Sequence, residues 1–79
     1  MDVNDRIIDN VLLIEFSGDF VSPEAMGMNH KVIHMINESS VKRVILSLEN
    51  VYAMDSIGLG VLMNIRKFAK QNQIFFAMV

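Results

Sequence analysis

Two segments of helical hydrophobic period flank a short apolar run, Val44-Ile45-Leu46-Ser47-Leu48, which is too brief for a helix and rich in strand formers. A strand held between two amphipathic helices constrains the fold strongly. Each helix can bury only one stripe of its surface, so both need a common sheet to pack on. The remaining apolar runs supply that sheet. Arg6-Ile7-Ile8 and Val11 to Phe16 are β-favouring stretches separated by Asp9-Asn10, a pair that tolerates the positive φ of a hairpin turn. In the second stretch Leu12, Ile14 and Phe16 share one face and Val11, Leu13 and Glu15 the other, which predicts an interior strand.

Ser17-Gly18-Asp19 is expected to break that strand. Ser22-Pro23-Glu24 then reads as a helix start, with Ser22 as cap, Pro23 at the first helical position and Glu24 favouring the dipole. The helix is expected to run to about Glu38, with Ala25, Met28, Val32, Met35 and Ile36 on its apolar face. The Val44–Leu48 strand is expected to be buried on both faces and parallel to its neighbour across the helix. Glu49 to Met54 reads as a loop, Asp55-Ser56 opens a second helix through about Lys70, and a terminal strand starts at Ile74. The order is β-β-α-β-α-β, an α/β fold with a mixed sheet and amphipathic helices, in one domain spanning residues 1–79.

Composition narrows the chemistry. Apolar residues make up 52% of the 79 and charged residues 20%, so the chain has the means to build a core. A net charge of −2 gives no electrostatic basis for binding nucleic acid directly. Without cysteine there is no disulfide, zinc–thiolate site or thiol nucleophile. The acidic, polar start and the lack of a long apolar run predict a cytoplasmic protein with no membrane insertion. A domain this small, with no covalent staple, is expected to lean on partners. Its seven Met residues suit adaptable contact surfaces as well as irregular cores.

Catalysis finds little support in the residues. Position 54 is Met where a nucleophile elbow around Ser56 needs Gly, and no His follows Ser56. His30 and His34 are four apart, but Lys31 stands where a zinc-binding His-Glu-x-x-His helix needs Glu. No Gly-x-Gly-x-x-Gly or Walker spacing occurs, since position 63 is Met. Neither catalytic residues, metal ligands nor a cofactor site are therefore expected.

The least generic stretch is Met54-Asp55-Ser56-Ile57-Gly58-Leu59-Gly60-Val61-Leu62. At 100° per residue, Ile57, Val61, Leu62, Ile65, Phe68 and Ala69 fall in one arc of about 140° that must face the sheet. Leu59 and Met63 fall outside it, among Arg66, Lys67 and Lys70. They either form an exposed docking patch or, if the first turn is irregular, Leu59 tucks into the core. Gly58 and Gly60 each cost about 1 kcal/mol of helix propensity and would let another backbone, a strand or a partner, come close. Ser56 is placed to cap the helix. It is equally placed for phosphorylation, which would leave the fold intact while putting about −1.5 to −2 charge beside Asp55 on an apolar surface.

Gly18 after an apolar strand, the Ser22-Pro23 helix start, the strand ending Ser47-Leu48-Glu49 and the Asp55-Ser56-x-Gly58-Leu59-Gly60 segment together resemble the STAS domain of bacterial anti-sigma factor antagonists. The likeness runs from about Val11 to Val79. It implies a partner-switching protein. The unphosphorylated form would bind an anti-sigma factor serine kinase and free a sigma factor, and a phosphatase would reverse phosphorylation. By position the phosphoacceptor is Ser56. Asp55, Ile57, Gly58, Leu59, Gly60 and Met63 would meet the partner, with Asp55 orienting the hydroxyl or shaping the loop. Two departures stand out: Asp19 is followed by Phe20-Val21 where the family often has Leu-Asp after its acid, and Ile57 is larger than the usual residue. The chain also lacks the helix, strand and helix with which family domains usually continue, so the domain is expected to be C-terminally short, either truncated or covering its open edge by self-association, and its apolar Ile74–Val79 edge is expected to make the isolated chain aggregate or form a homodimer. The rival reading is a non-switching STAS-like structural or scaffold subunit of a membrane transporter or signalling assembly, in which Ser56 is only a cap.

Overall fold

The computed structural model describes residues 1–79. Its elements are β1 (Asp2–Ile8), β2 (Val11–Phe20), α1 (Glu24–Ser39), β3 (Arg43–Met54), α2 (Ser56–Gln71) and β4 (Phe75–Met78). The strands form one mixed sheet in the order β1-β2-β3-β4, with β1 antiparallel to β2 and the other pairs parallel. Asp9 and Asn10 adopt φ of 50° and 65°, the left-handed pair that the β1–β2 hairpin needs. The expected element order and the interior place of β2 are both found.

One face of the sheet carries the core. Leu12, Ile14, Phe16 and Phe20 of β2 and Val44 and Leu46 of β3 pack against Ala25, Val32 and Ile36 of α1 and Val61, Leu62, Ile65 and Ala69 of α2. Met28 and Met35 of α1 are only half-buried, at the margin of this core. The rings of Phe16 and Phe20 meet edge to face at 4.8 Å. On the other face no helix covers Val11, Leu13 and Ile45, which are only half-buried, so the expected burial of β3 on both sides is found there for Ser47 but not for Ile45. A shallow depression there, lined by Val11, Arg43, Ile45 and Phe75, lies at the amino ends of the parallel strands, away from the motif.

Three boundaries differ from expectation, each through tertiary pairing. β2 does not stop at Ser17-Gly18-Asp19. Gly18 takes φ 105°, open to glycine and strained for other residues, beside the backbone of Met1, and the strand continues to Phe20. Glu49 to Met54 is strand rather than loop, because the prolonged β2 pairs with it through two register shifts. At α1, Pro23 rather than Ser22 holds the cap position, without a side-chain hydrogen bond. The hydroxyl of Ser22 is engaged elsewhere.

Candidate functional site

The prolonged β2 and β3 bring the β2–α1 loop beside the start of α2, at the carboxyl end of the parallel strands. This is the end of an open α/β sheet where sites usually form. Asp55 is the junction. It caps α2 in an extended conformation (φ −103°, ψ −178°), and its Oδ1 accepts from the Gly58 N–H at 2.8 Å. Its Oδ2 accepts from the Ser22 N–H at 2.9 Å and from the Ser22 hydroxyl at 3.0 Å. Ser56 is thus the first helical residue and not the cap. The role of cap belongs to Asp55, whose carboxylate is committed to the loop instead of to the Ser56 hydroxyl.

These donors hold the Asp55 carboxyl below the ordinary carboxylate range, the Gly58 N–H first and then the Ser22 N–H, against an opposing desolvation that outweighs the further help of the Ser22 hydroxyl or of the Ile57 N–H taken singly. A lowered folded-state value stabilises the fold above the unfolded value near 3.8 and ceases to do so as pH falls through the folded value. Asp55→Asn keeps a capping oxygen but cannot titrate. We expect it to flatten the acid limb of a stability–pH curve below about pH 4 relative to wild type, while Asp55→Ala lowers the denaturation midpoint at neutral pH as well. Thermal melts across pH read both effects. Parallel acid limbs in wild type and Asp55→Asn would show that another group carries the acid sensitivity.

Gly58 is the second anchor. It is buried, and a Cβ there would clash with the carbonyl oxygen of Phe20 and lie 2.7 Å from Phe20 Cδ1 and 3.1 Å from Met54 Cγ. The close approach therefore serves the chain's own strand, and Gly58 is not open to a partner. Gly60 differs, since a Cβ there would meet nothing within 4 Å. Ile57, expected in the core arc, is 43% exposed, because the side that α2 presents to the sheet centres on Gly58, Val61, Leu62, Ile65 and Ala69. Leu59 is 54% exposed and Met63 49% exposed, so Leu59 does not tuck into the core.

The exposed Ser56 has exposed apolar neighbours in Ile57 and Leu59. A groove between the helices is lined by Met26, Asn29, Ser56, Ile57, Gly60, Val61 and Asn64, and the Asn64 Nδ2 donates to the Asn29 Oδ1 at 2.7 Å across it. Tyr52 and Met54, at the end of β3, add exposed apolar surface on the approach to Asp55. Of the expected site residues, Ser56, Ile57, Leu59, Gly60 and Met63 are exposed, Asp55 is partly buried as the clamp, and Gly58 is packed inside. Sequence reasoning missed Phe20 and the clamp role of Ser22. The parity of Phe20 with Leu12, Ile14 and Phe16 was the available signal for the first; nothing in the residues announced the second.

The family model for the STAS domain matches residues 2–79. Among solved structures, the anti-sigma factor antagonist SpoIIAA in its unphosphorylated form superposes with a TM-score of 0.76 at 15% identity, over 98% of this chain and 71% of that one. A Thermotoga maritima chain described as a candidate anti-sigma factor antagonist gives 0.85 at 25% identity, over 96% of this chain and 65% of its own. Mglu gives 0.80 at 11% identity, with 95% of this chain matched to 18% of that larger one. The chain thus spans less than two thirds of the Thermotoga and Mglu chains. SpoIIAA is also solved in a phosphorylated form, to which the likeness is similar at a TM-score of 0.74.

Proposed function

The chain belongs to the STAS domain family, and on that premise we propose that it acts as an anti-sigma factor antagonist controlled by phosphorylation. Unphosphorylated, it binds an anti-sigma factor that is also a serine kinase, and so frees a sigma factor in the cytoplasm. The kinase transfers the terminal phosphoryl group of ATP to the Ser56 oxygen, the hydroxyl proton is lost and ADP leaves. A phosphatase hydrolyses the phosphoester and restores binding. The domain itself catalyses neither step.

One observation carries this reading: the Ser56 hydroxyl stands exposed in the first turn of α2, beside exposed Ile57 and Leu59, while Asp55 holds that turn through Gly58 and Ser22. A phosphate added there meets the Asp55 carboxylate and the apolar surface, so it disfavours docking without touching the core. Partner contact is assigned to Ile57, Leu59, Gly60 and Met63, with Asp55 positioning the loop.

The likeness to a small part of Mglu supports a second reading, in which the domain is a non-switching module of a larger assembly. The two differ in one measurement. Incubated with ATP and the candidate kinases encoded near its gene, the protein is expected to gain the mass of one phosphoryl group, mapped to Ser56 and absent in Ser56→Ala. No gain with any of those kinases would favour the module.

A further inference from the structure

α2 runs from Ser56 to Gln71 without a single acidic residue, yet carries Arg66, Lys67 and Lys70. The domain's ion pairs are Met1–Glu24, Arg6–Glu15 and His34–Glu38, so none of these three cations is matched within the fold. Their placement is ordered. Leu59, Met63, Arg66 and Lys70 are separated by four, three and four residues, the spacing with which one helix presents a seam to another. All four are exposed. At 100° per residue they cluster on one flank of α2, whereas Asn64, which bonds to Asn29 of α1, lies on the other. The seam is apolar at the Ser56 end and cationic at the far end.

We propose that this flank of α2 is the docking seam for an amphipathic helix of the partner protein, whose apolar residues cover Leu59 and Met63 and whose carboxylates meet Arg66 and Lys70. This rests on the partner-switch reading and specifies the partner's chemistry. The charge pattern sets the orientation. An antiparallel helix brings its amino-terminal half to Arg66 and Lys70, and acidic residues are favoured in that half by the helix's own dipole. Its apolar half then lies against Leu59 and Met63, next to Ser56. Uncharged apolar grooves such as the one between α1 and α2 would not discriminate by charge, but this seam does.

The test uses two synthetic helical peptides of about 18 residues, long enough to hold some helix in water. One has Glu at its two amino-terminal seam positions and Leu at the next two; the other has Lys in place of Glu. Amide chemical shifts of the labelled protein are followed during titration. The Glu peptide is expected to shift the signals of Leu59, Met63, Arg66 and Lys70. The double variant Arg66→Glu/Lys70→Glu, checked for unchanged helix content, is expected to bind it about tenfold more weakly and to gain affinity for the Lys peptide. Shifts that map elsewhere, or affinities indifferent to charge reversal, would overturn the seam. A Ser56→Asp arm separates the two proposals. If Ser56→Asp binds the Glu peptide as well as wild type while charge reversal still acts, the seam stands and switching at Ser56 fails.

Discussion

Gly58→Ala is expected to lower stability by about 2–3 kcal/mol, whereas Gly60→Ala, in the same turn, is expected to raise it by about 0.5–1 kcal/mol. Helix propensity alone predicts a gain from both. The difference lies in what each Cβ meets. At Gly58 it would clash with the Phe20 carbonyl oxygen, a backbone atom that cannot turn aside, and the fully buried Phe20 ring is locked against Phe16. Either α2 lifts from the sheet or β2 bends, and both disturb the loop that Ser22 ties to Asp55. At Gly60 a methyl group enters open space and only the cost of glycine in a helix is removed. Urea midpoints with unchanged slopes would measure both effects. For a chain of this size total stability is on the order of 4–12 kcal/mol, so the Gly58 loss is a large share of it. Equal and favourable shifts at both positions would mean that Gly58 does not hold the α2 start against β2.

The same contact shows which parts of the molecule the residues disclosed. The hairpin turn at Asp9-Asn10, the parity of Leu12, Ile14 and Phe16, and the helical stripe of Val61, Leu62, Ile65 and Ala69 are local patterns, legible because period and turn chemistry act over a few residues. The prolonged pairing of β2 with Glu49–Met54 is not local. Each partner strand looks like a loop by itself, and only their juxtaposition satisfies the backbone groups of both. The capping of α2 fails for a related reason. Asp55 and Ser56 are both good capping residues, and what selects Asp55 is a second set of donors on Ser22, 33 positions away in sequence. Glycine pairs show the limit most sharply. Gly58 and Gly60 look alike in sequence, yet one is required by a strand of this chain and the other by nothing inside it.

Ser56→Asp is expected to weaken binding of the partner kinase more than about a hundredfold while changing the domain's own stability by less than about 1 kcal/mol. The fold should tolerate the charge. An anion in the first turn of a helix gains a few tenths of a kcal/mol or somewhat more from the dipole, which offsets repulsion from the neighbouring Asp55 carboxylate. The complex should not. The nearest cation on α2 is Arg66, ten residues and about 15 Å along the helix, beyond the screening length of about 8 Å at physiological salt. Within the contact surface the new carboxylate would therefore lose water without gaining an opposite charge from α2. Burial of an unpaired ion costs several kcal/mol, which is the origin of the hundredfold estimate. Ser56→Ala adds no charge and is expected to bind as wild type does and to resist phosphorylation. Titration calorimetry against the kinase, alongside urea denaturation of the same samples, separates the two quantities. A parallel loss of fold and binding in Ser56→Asp would make Ser56 part of the scaffold, because a switch residue must change the free energy of the complex while leaving that of the domain nearly constant.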